Sequence, residues 1–227
     1  DFQIAAGGRV LFLADIGTDD VDELYSVPAD RSAAPLRLNG TLAPSEDVWN
    51  FWLTPDGEYA VYGGRQVSGG SLFRVPTDGS APPTPLAPGL GANRNLWLSP
   101  DGLRVVFTTW SDSNRPELWV VPSDASASPL SLGENPDVHL VRNLLISEDS
   151  EHLVCLVEHF VAFSSSELRV HAARLDGTWG PPPRLSLVPV ASDELAFDGD
   201  EHAFFIEDSS LISARVAGQQ RSVLTPY

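Results

Sequence analysis

One twelve-residue phrase, FWLTPDGEYAVY at Phe51–Tyr62, limits more than any other feature what this chain can fold into. Two apolar runs flank a Pro-Asp-Gly turn, and the phrase returns. It reads LWLSPDGLRVVF at Leu96–Phe107, LLISEDSEHLVC at Leu144–Cys155, LAFDGDEHAFF at Leu195–Phe205 and, more weakly, FQIAAGGRVLFL at Phe2–Leu13. The leading residues Phe2, Phe51, Leu96, Leu144 and Leu195 stand roughly 45 to 51 residues apart, the period of a repeated supersecondary unit.

A second β-rich run follows each phrase and enters a polar turn: ELYSVPAD at Glu23, SLFRVPTDG at Ser71, ELWVVPSD at Glu117, ELRVHAARLDG at Glu167 and SLISARVAG at Ser210. A short fourth run closes each unit, as in Pro35–Leu38, Thr84–Ala87, Ser128–Leu132, Pro183–Leu187 and Ser222–Thr225. The unit is therefore four short antiparallel strands. Such a sheet has two apolar faces that neighbouring sheets must cover, and radial packing of these sheets makes a β-propeller. Helices have little claim, because 19 prolines and 18 glycines are spread throughout and no stretch sustains apolar residues at helical spacing. The expectation is an all-β chain, a single propeller domain over 1–227. It has five visible four-stranded blades around a central channel, at about 1–39, 49–88, 94–133, 142–188 and 193–227.

The formal charge of −17, from 31 acidic against 14 basic residues, opposes nucleic-acid backbones and anionic lipid. No run approaches the roughly 18 apolar residues of a membrane span. Cys155, the single cysteine, precludes an intrachain disulfide and reads as a buried, inert thiol in the run LVCLV. The chain starts at Asp1 and contains no methionine, which reads as a processed or partial polypeptide.

Individual residues carry weaker signals. The loop Asp15–Glu23 gathers Asp15, Asp19, Asp20 and Asp22 but lacks an EF-hand's later Glu and flanking helices, so a solvated acidic loop is the expectation. Asn39-Gly40-Thr41 is formally a glycosylation acceptor. In the fourth unit the middle segment Glu158–Ser166 reads as a partly apolar loop, and Pro181-Pro182-Pro183 belongs on an outer edge. The Asp of each Pro-Asp-Gly turn reads as structural, since proline presets φ, Asp accepts local donors and Gly tolerates positive φ.

If both kinds of tight turn share one edge of the sheets, the longer loops crowd the other edge, where binding usually resides. Just before each inner strand the residues repeat: Trp49-Asn50, Arg94-Asn95, Arg142-Asn143 and Asp193-Glu194. By symmetry these would ring the channel mouth. There they could hold a small polar ligand, a cation or a peptide end, with Arg94 and Arg142 suited to carboxylates. Strand-end capping by the asparagines is the plainer alternative. Trp110, in a mid-unit loop, and His159, beside Glu158, complete the candidate ligand-binding set. His152 and His202 occupy equivalent positions after Glu151 and Glu201 and read as scaffold; His139 and His171 carry no motif. No HExxH, Cys/His cluster, GxSxG elbow, P-loop or dinucleotide fingerprint is present, so no cofactor, metal or catalytic residue is expected. Trp52 and Trp97 correspond and are expected to fill the core. The six tryptophans share no single repeat position that would make repeated sugar sites.

The repeat as a whole resembles the WD-like propeller repeat of the TolB family and the gating propellers of the prolyl oligopeptidase family. The resemblance rests on Thr54-Pro55-Asp56-Gly57 and Ser99-Pro100-Asp101-Gly102, with partial matches at Ser147-Glu148-Asp149-Ser150 and Asp198-Gly199-Asp200 and little at Ala6-Gly7-Gly8. It implies a bacterial, periplasmic or secreted scaffold that binds a protein or peptide. Alternatives are the gating propeller of a larger serine hydrolase, and a carbohydrate-binding propeller. Should the blades leave the ring unfinished, open blade faces would favour association with another copy.

Overall fold

A Ser or Thr followed by Pro-Asp-Gly leaves the backbone little choice but to reverse. In the computed structural model of the protein, Thr54 Oγ1 donates to Asp56 Oδ1 at 2.5 Å and accepts the Tyr59 N–H at 3.1 Å. Asp56 Oδ1 accepts the Glu58 N–H at 2.9 Å, and the Gly57 N–H bonds the Thr54 carbonyl at 2.8 Å. Ser99 with Asp101 and Ser147 with Asp149 repeat the pattern at the same distances between hydroxyl and carboxylate. Gly57, Gly102 and Ser150 take the left-handed position, at φ of 71°, 73° and 59°. The motif Asp residues are consumed by the turn, as expected.

The structure describes residues 2–44, 46–65, 71–90, 92–110, 116–134, 140–162, 165–178, 185–186, 190–198, 202–207, 210–216 and 221–226. His139, Trp179 and Pro181–Pro183 fall outside them. Nineteen strands and no helix occur among the described residues. The first sheet is β1 (Phe2–Ile4), β2 (Arg9–Ala14), β3 (Glu23–Pro28) and β4 (Leu36–Arg37), in that order. The second is β5 (Val48–Leu53), β6 (Tyr59–Gly64), β7 (Leu72–Pro76) and β8 (Thr84–Pro85). The third is β9 (Ala92–Leu98), β10 (Arg104–Trp110), β11 (Pro116–Pro122) and β12 (Leu130–Glu134).

The last two blades form one seven-stranded sheet. It runs β13 (Leu140–Ile146), β14 (His152–Ala162), β15 (Ser165–Arg174), β16 (Val190–Phe197), β17 (His202–Glu207), β18 (Ser210–Arg215) and β19 (Arg221–Pro226). The junction is a single register pair, Leu168 with Val190. Next to it, the Leu185 N–H reaches the Val170 carbonyl at 2.7 Å, as Leu38 reaches Leu24 and Leu86 reaches Leu72 in earlier blades. The Ser186 hydroxyl accepts the Val170 N–H at 3.0 Å, as the Asn39 amide oxygen accepts that of Leu24 in the first blade.

The chain forms two compact units, Asp1–Thr109 with Val121–Pro129, and Trp110–Val120 with Leu130–Tyr227. Within the first, a core of Ala5, Leu11, Leu24, Leu38, Val48, Phe51, Ala60, Tyr62, Phe73 and Val75 lies between the first two sheets. Within the second, Val154, Leu156, Val170, Ala172, Ala203, Phe205, Ile212 and Ala214 do the same for the last two blades. Cys155 is buried, and loss of hydration pushes its thiol up to about 12.

Three expectations are corrected. Trp52 does not fill the core: it is 42% exposed, because strand alternation that buries Phe51 turns Trp52 to the opposite face. Its indole N–H instead donates to the Leu96 carbonyl of the next blade at 3.2 Å. The described residues of the segment Glu158–Ser166 are strand and not loop, since β14 and β15 continue pairing there, His159 with Glu167 and Phe160 with Ser166. Asn39 is no open acceptor for a sugar, for it is buried and its Oδ1 takes the Leu24 N–H at 2.9 Å.

Candidate functional site

Both classes of tight turn sit at one edge of the second and third sheets and are tied together there. The Thr77 hydroxyl donates to the Gly57 carbonyl at 3.0 Å and the Ser123 hydroxyl to the Gly102 carbonyl at 2.6 Å, joining the outer hairpin to the Pro-Asp-Gly turn. In the outer turns Asp30, Asp78, Asp124 and Asp176 each accept the N–H two residues on at 2.9 Å. The Ser and Thr partners hold all four carboxyls below the usual range. At this edge Asp149, Glu151 and His152 bring potential ligand atoms within 4.8 Å of one another, but Asp149 already serves Ser147 and the Glu151 N–H.

The opposite edge differs in kind. The predicted rim residues lie within the inner strands rather than before them, and each set falls at a β-bulge. In the second blade Val48 pairs with Gly64 and Asn50 with Gly63, leaving Trp49 as the extra residue. In the third, Leu96 pairs with Phe107 and Ala92 with Thr109, so Asn93, Arg94 and Asn95 together face Thr108. In the fourth, Val141 pairs with Val157 and Asn143 with Leu156, which expels Arg142. In the fifth, residues 191–194, including Glu194, stand between the pairs Val190 with Glu207 and Leu195 with Phe205. A bulge bends the strand and re-aims side chains, and bulges concentrate beside binding sites.

Two of these bulges are supported by residues whose role the sequence did not signal in advance. Gly63 and Gly64 belong to β6. A Cβ on Gly63 would stand 3.1 Å from the Trp49 ring and 3.2 Å from Asn50 Oδ1, and one on Gly64 would stand 2.9 Å from the Asp47 carbonyl oxygen. The Gly-Gly pair thus lets the bulged strand lie against its neighbour, and a dipeptide of glycine opposite Trp49-Asn50 is the signal that could have identified it. In the fourth blade, Glu158 takes Arg142 Nε at 2.9 Å and Nη2 at 2.6 Å on the same oxygen. Glu158 is buried while the Arg142 side chain stays half exposed, so the guanidinium is anchored yet presents its outer face to solvent. Only the backbones of Arg94, Trp110, His159 and Glu194 are described, Trp110 at the end of β10 and His159 within β14.

A third cluster lies in the first blade. Buried Glu23 accepts the Tyr25 hydroxyl at 2.9 Å on one oxygen and Arg37 at 2.8 Å on the other. Burial, then the Glu23 partnership, raises the Tyr25 phenol above its ordinary value. Gly17 of the acidic loop packs on this cluster: a Cβ there would fall 2.4 Å from Glu23 Oε2. The carboxylate, phenol and guanidinium satisfy one another, which is the arrangement of a structural pin.

No protein-family model matches the sequence, and no curated protein matches it. Solved structures resemble the fold. A putative TolB from Agrobacterium tumefaciens superposes with a TM-score of 0.55 at 20% identity over 82% of this chain and 64% of its own. A Mycobacterium tuberculosis puromycin-hydrolyzing peptidase gives 0.60 at 17% over 100% of this chain and 38% of its own. Prolyl oligopeptidase B from Galerina marginata gives 0.61 at 11% over 98% and 36%. The chain therefore spans well under half the length of the peptidases and about two thirds of the TolB chain. Its fold is the β-propeller that TolB and the propeller domains of prolyl oligopeptidases share.

Proposed function

We propose that this chain is a single, non-enzymatic propeller domain that binds a protein or peptide through its bulged rim, in a periplasmic or extracellular setting. The observation that supports this most is Arg142: a bulge residue, half exposed, whose guanidinium is held from behind by buried Glu158. A planar cation fixed in that way is suited to a carboxylate, either an acidic side chain or a peptide C-terminus. Trp49 and Asn50, crowded over Gly63 at the equivalent bulge, would add apolar area and an amide.

The test is to pan a displayed random-peptide library on the purified protein and titrate the enriched peptides against Arg142→Ala and Trp49→Ala. Peptides bearing an acidic group should enrich and lose about tenfold or more in affinity on Arg142→Ala, the scale of one charge-assisted hydrogen bond. Failure to enrich any peptide, or equal binding by both variants, would remove the proposal. Fractionation of the source cell tests the compartment.

A second reading is a gating propeller from a larger serine hydrolase. It is favoured by the peptidase structures, which cover 98% and 100% of this chain at TM-scores of 0.61 and 0.60. A natural transcript that also encodes Gly-x-Ser-x-Gly followed by Asp and His would select this reading.

A further inference from the structure

We infer that Arg142 takes one carboxylate end-on, through its Nη1–Nη2 edge, and that this carboxylate belongs to a segment whose overall charge is neutral or positive. The inference rests on the peptide-binding reading above and narrows the chemistry of the same site.

The edge follows from the donors. A guanidinium carries five N–H groups in one plane, disposed as a fork. Glu158 takes Nε at 2.9 Å and Nη2 at 2.6 Å on a single oxygen, Oε2, which closes the lateral edge. Three N–H groups remain, one on Nη2 and two on Nη1, and among the described residues nothing else takes them. They leave one intact pair of parallel donors, at the tip of the side chain. That pair matches the two oxygens of a carboxylate. The Arg142 side chain is 50% exposed and that of Glu158 is 11% exposed, so the closed edge is the inner one and the tip is the one a partner reaches.

The charge follows from the surroundings. Glu158 neutralises Arg142, and Arg169 on β15 is likewise taken by Glu167 at 2.6 Å. The cross-strand row that contains Glu158 runs on through Leu168 and Val190 to Glu207, a further acid. Neither ion pair carries net charge. The site therefore holds an anion by directed hydrogen bonds at short range, while the field of the whole chain, formally −17, repels one at long range. A ligand meets both conditions by carrying a carboxylate for the fork and cationic groups around it. A run of acidic residues meets the first and fails the second.

The test starts from the peptide pool enriched by panning and reads its charge. Enriched sequences should keep a carboxylate, as an acidic side chain or a free C-terminus, and should be more basic than the unselected library. A synthetic copy of the most enriched peptide is then titrated by calorimetry. Its affinity should fall as salt is added, because salt screens the long-range attraction. It should also fall about five- to tenfold on Arg142→Lys, which keeps the charge and loses the parallel pair of donors. Replacing the peptide's basic residues by glutamate should weaken binding by about tenfold or more. Copies with an amidated C-terminus, or with each acidic side chain made an amide, show which carboxylate is used, since one of the two changes should remove binding.

An acid-rich pool, a selected peptide whose affinity rises with salt, or equal binding by Arg142→Lys and the wild type would overturn the inference. Each of these leaves the peptide-binding reading standing as long as Arg142→Ala binds less. Binding that survives both amide forms also overturns it. An empty pool removes that reading, and the inference with it.

Discussion

The indole N–H of Trp52 donates to the backbone carbonyl of Leu96 at 3.2 Å, which ties the inner strand of one blade to that of the next. Gln3 occupies the equivalent position one blade earlier and reaches Phe51 in the same way. The second position of the inner strand is therefore a clasp. Trp52→Phe keeps most of the apolar surface and removes the donor, so stability should fall by about 0.5–1.5 kcal/mol. Gln3→Ala loses both a donor and an acceptor and should cost about twice that. Urea midpoints followed by circular dichroism will check the order.

Two glycines with the same φ separate backbone freedom from packing. Gly8 and Gly102 both have φ of 73°, but a Cβ on Gly8 meets nothing within 4 Å, whereas one on Gly102 falls 2.4 Å from Pro55 Cδ of the neighbouring blade. Gly8→Ala should cost about 1–2 kcal/mol, the left-handed penalty alone. Gly102→Ala should cost roughly 1–3 kcal/mol more, from overpacking. Equal losses in denaturant titrations would refute the close contact between the blades.

The outer turns offer the reverse change. Gly79 and Gly177 take positive φ after their Asp, but Ala125 does so at 59° with a Cβ in place. Ala125→Gly should raise stability by about 1 kcal/mol, the relief of the left-handed strain less the added freedom of the unfolded chain. An unchanged or lower melting temperature would count against the turn as described.

The blade architecture could be read from the sequence because its determinants are local. Thr54-Pro55-Asp56-Gly57 closes its own turn through bonds between residues two and five apart. What could not be read is non-local. The partnership of Arg142 with Glu158 joins residues 16 apart across two strands, and neither residue differs in type from any surface Arg or Glu. Trp52 was misplaced because a tryptophan two residues before a turn looks like core, and only register shows which face it occupies. The extension of β14 through His159 was missed because EHFVAFSSS has a turn-like tail and no long-range signal of its partner strand.

Acid should weaken the fold through the turn aspartates. The Thr54 hydroxyl, then the Glu58 N–H, holds the Asp56 carboxyl below the ordinary value of 3.8. For Asp149 burial acts upward, but the Ser147 hydroxyl and the Glu151 N–H outweigh it, and the net shift is again down. A folded value below the unfolded one means the stabilisation is complete above the unfolded value of 3.8 and is lost as pH falls through the folded value. Urea midpoints should therefore be flat from neutral pH to about 5 and drop below about 4. A steady rise on acidification would mean that relief of the −17 charge dominates.

Cys155 should resist modification. With a thiol pushed up to about 12 and a buried position, it should react with an aromatic disulfide reagent only as fast as the protein unfolds. Reaction within seconds in native buffer would place it at the surface.

Among the described residues β15 runs on past its pairing with β16. Beyond Leu168, the last β15 residue paired with β16, the described residues Glu167, Ser166 and Ser165 pair only with β14. On the side of β16 the ladder of β15 is therefore open along these three residues, and β14 is the strand that holds them. The β14 partner of Leu168 is Glu158, which grips Arg142. A displacement of β14 at this point is therefore felt first by the ion pair through which Glu158 holds Arg142.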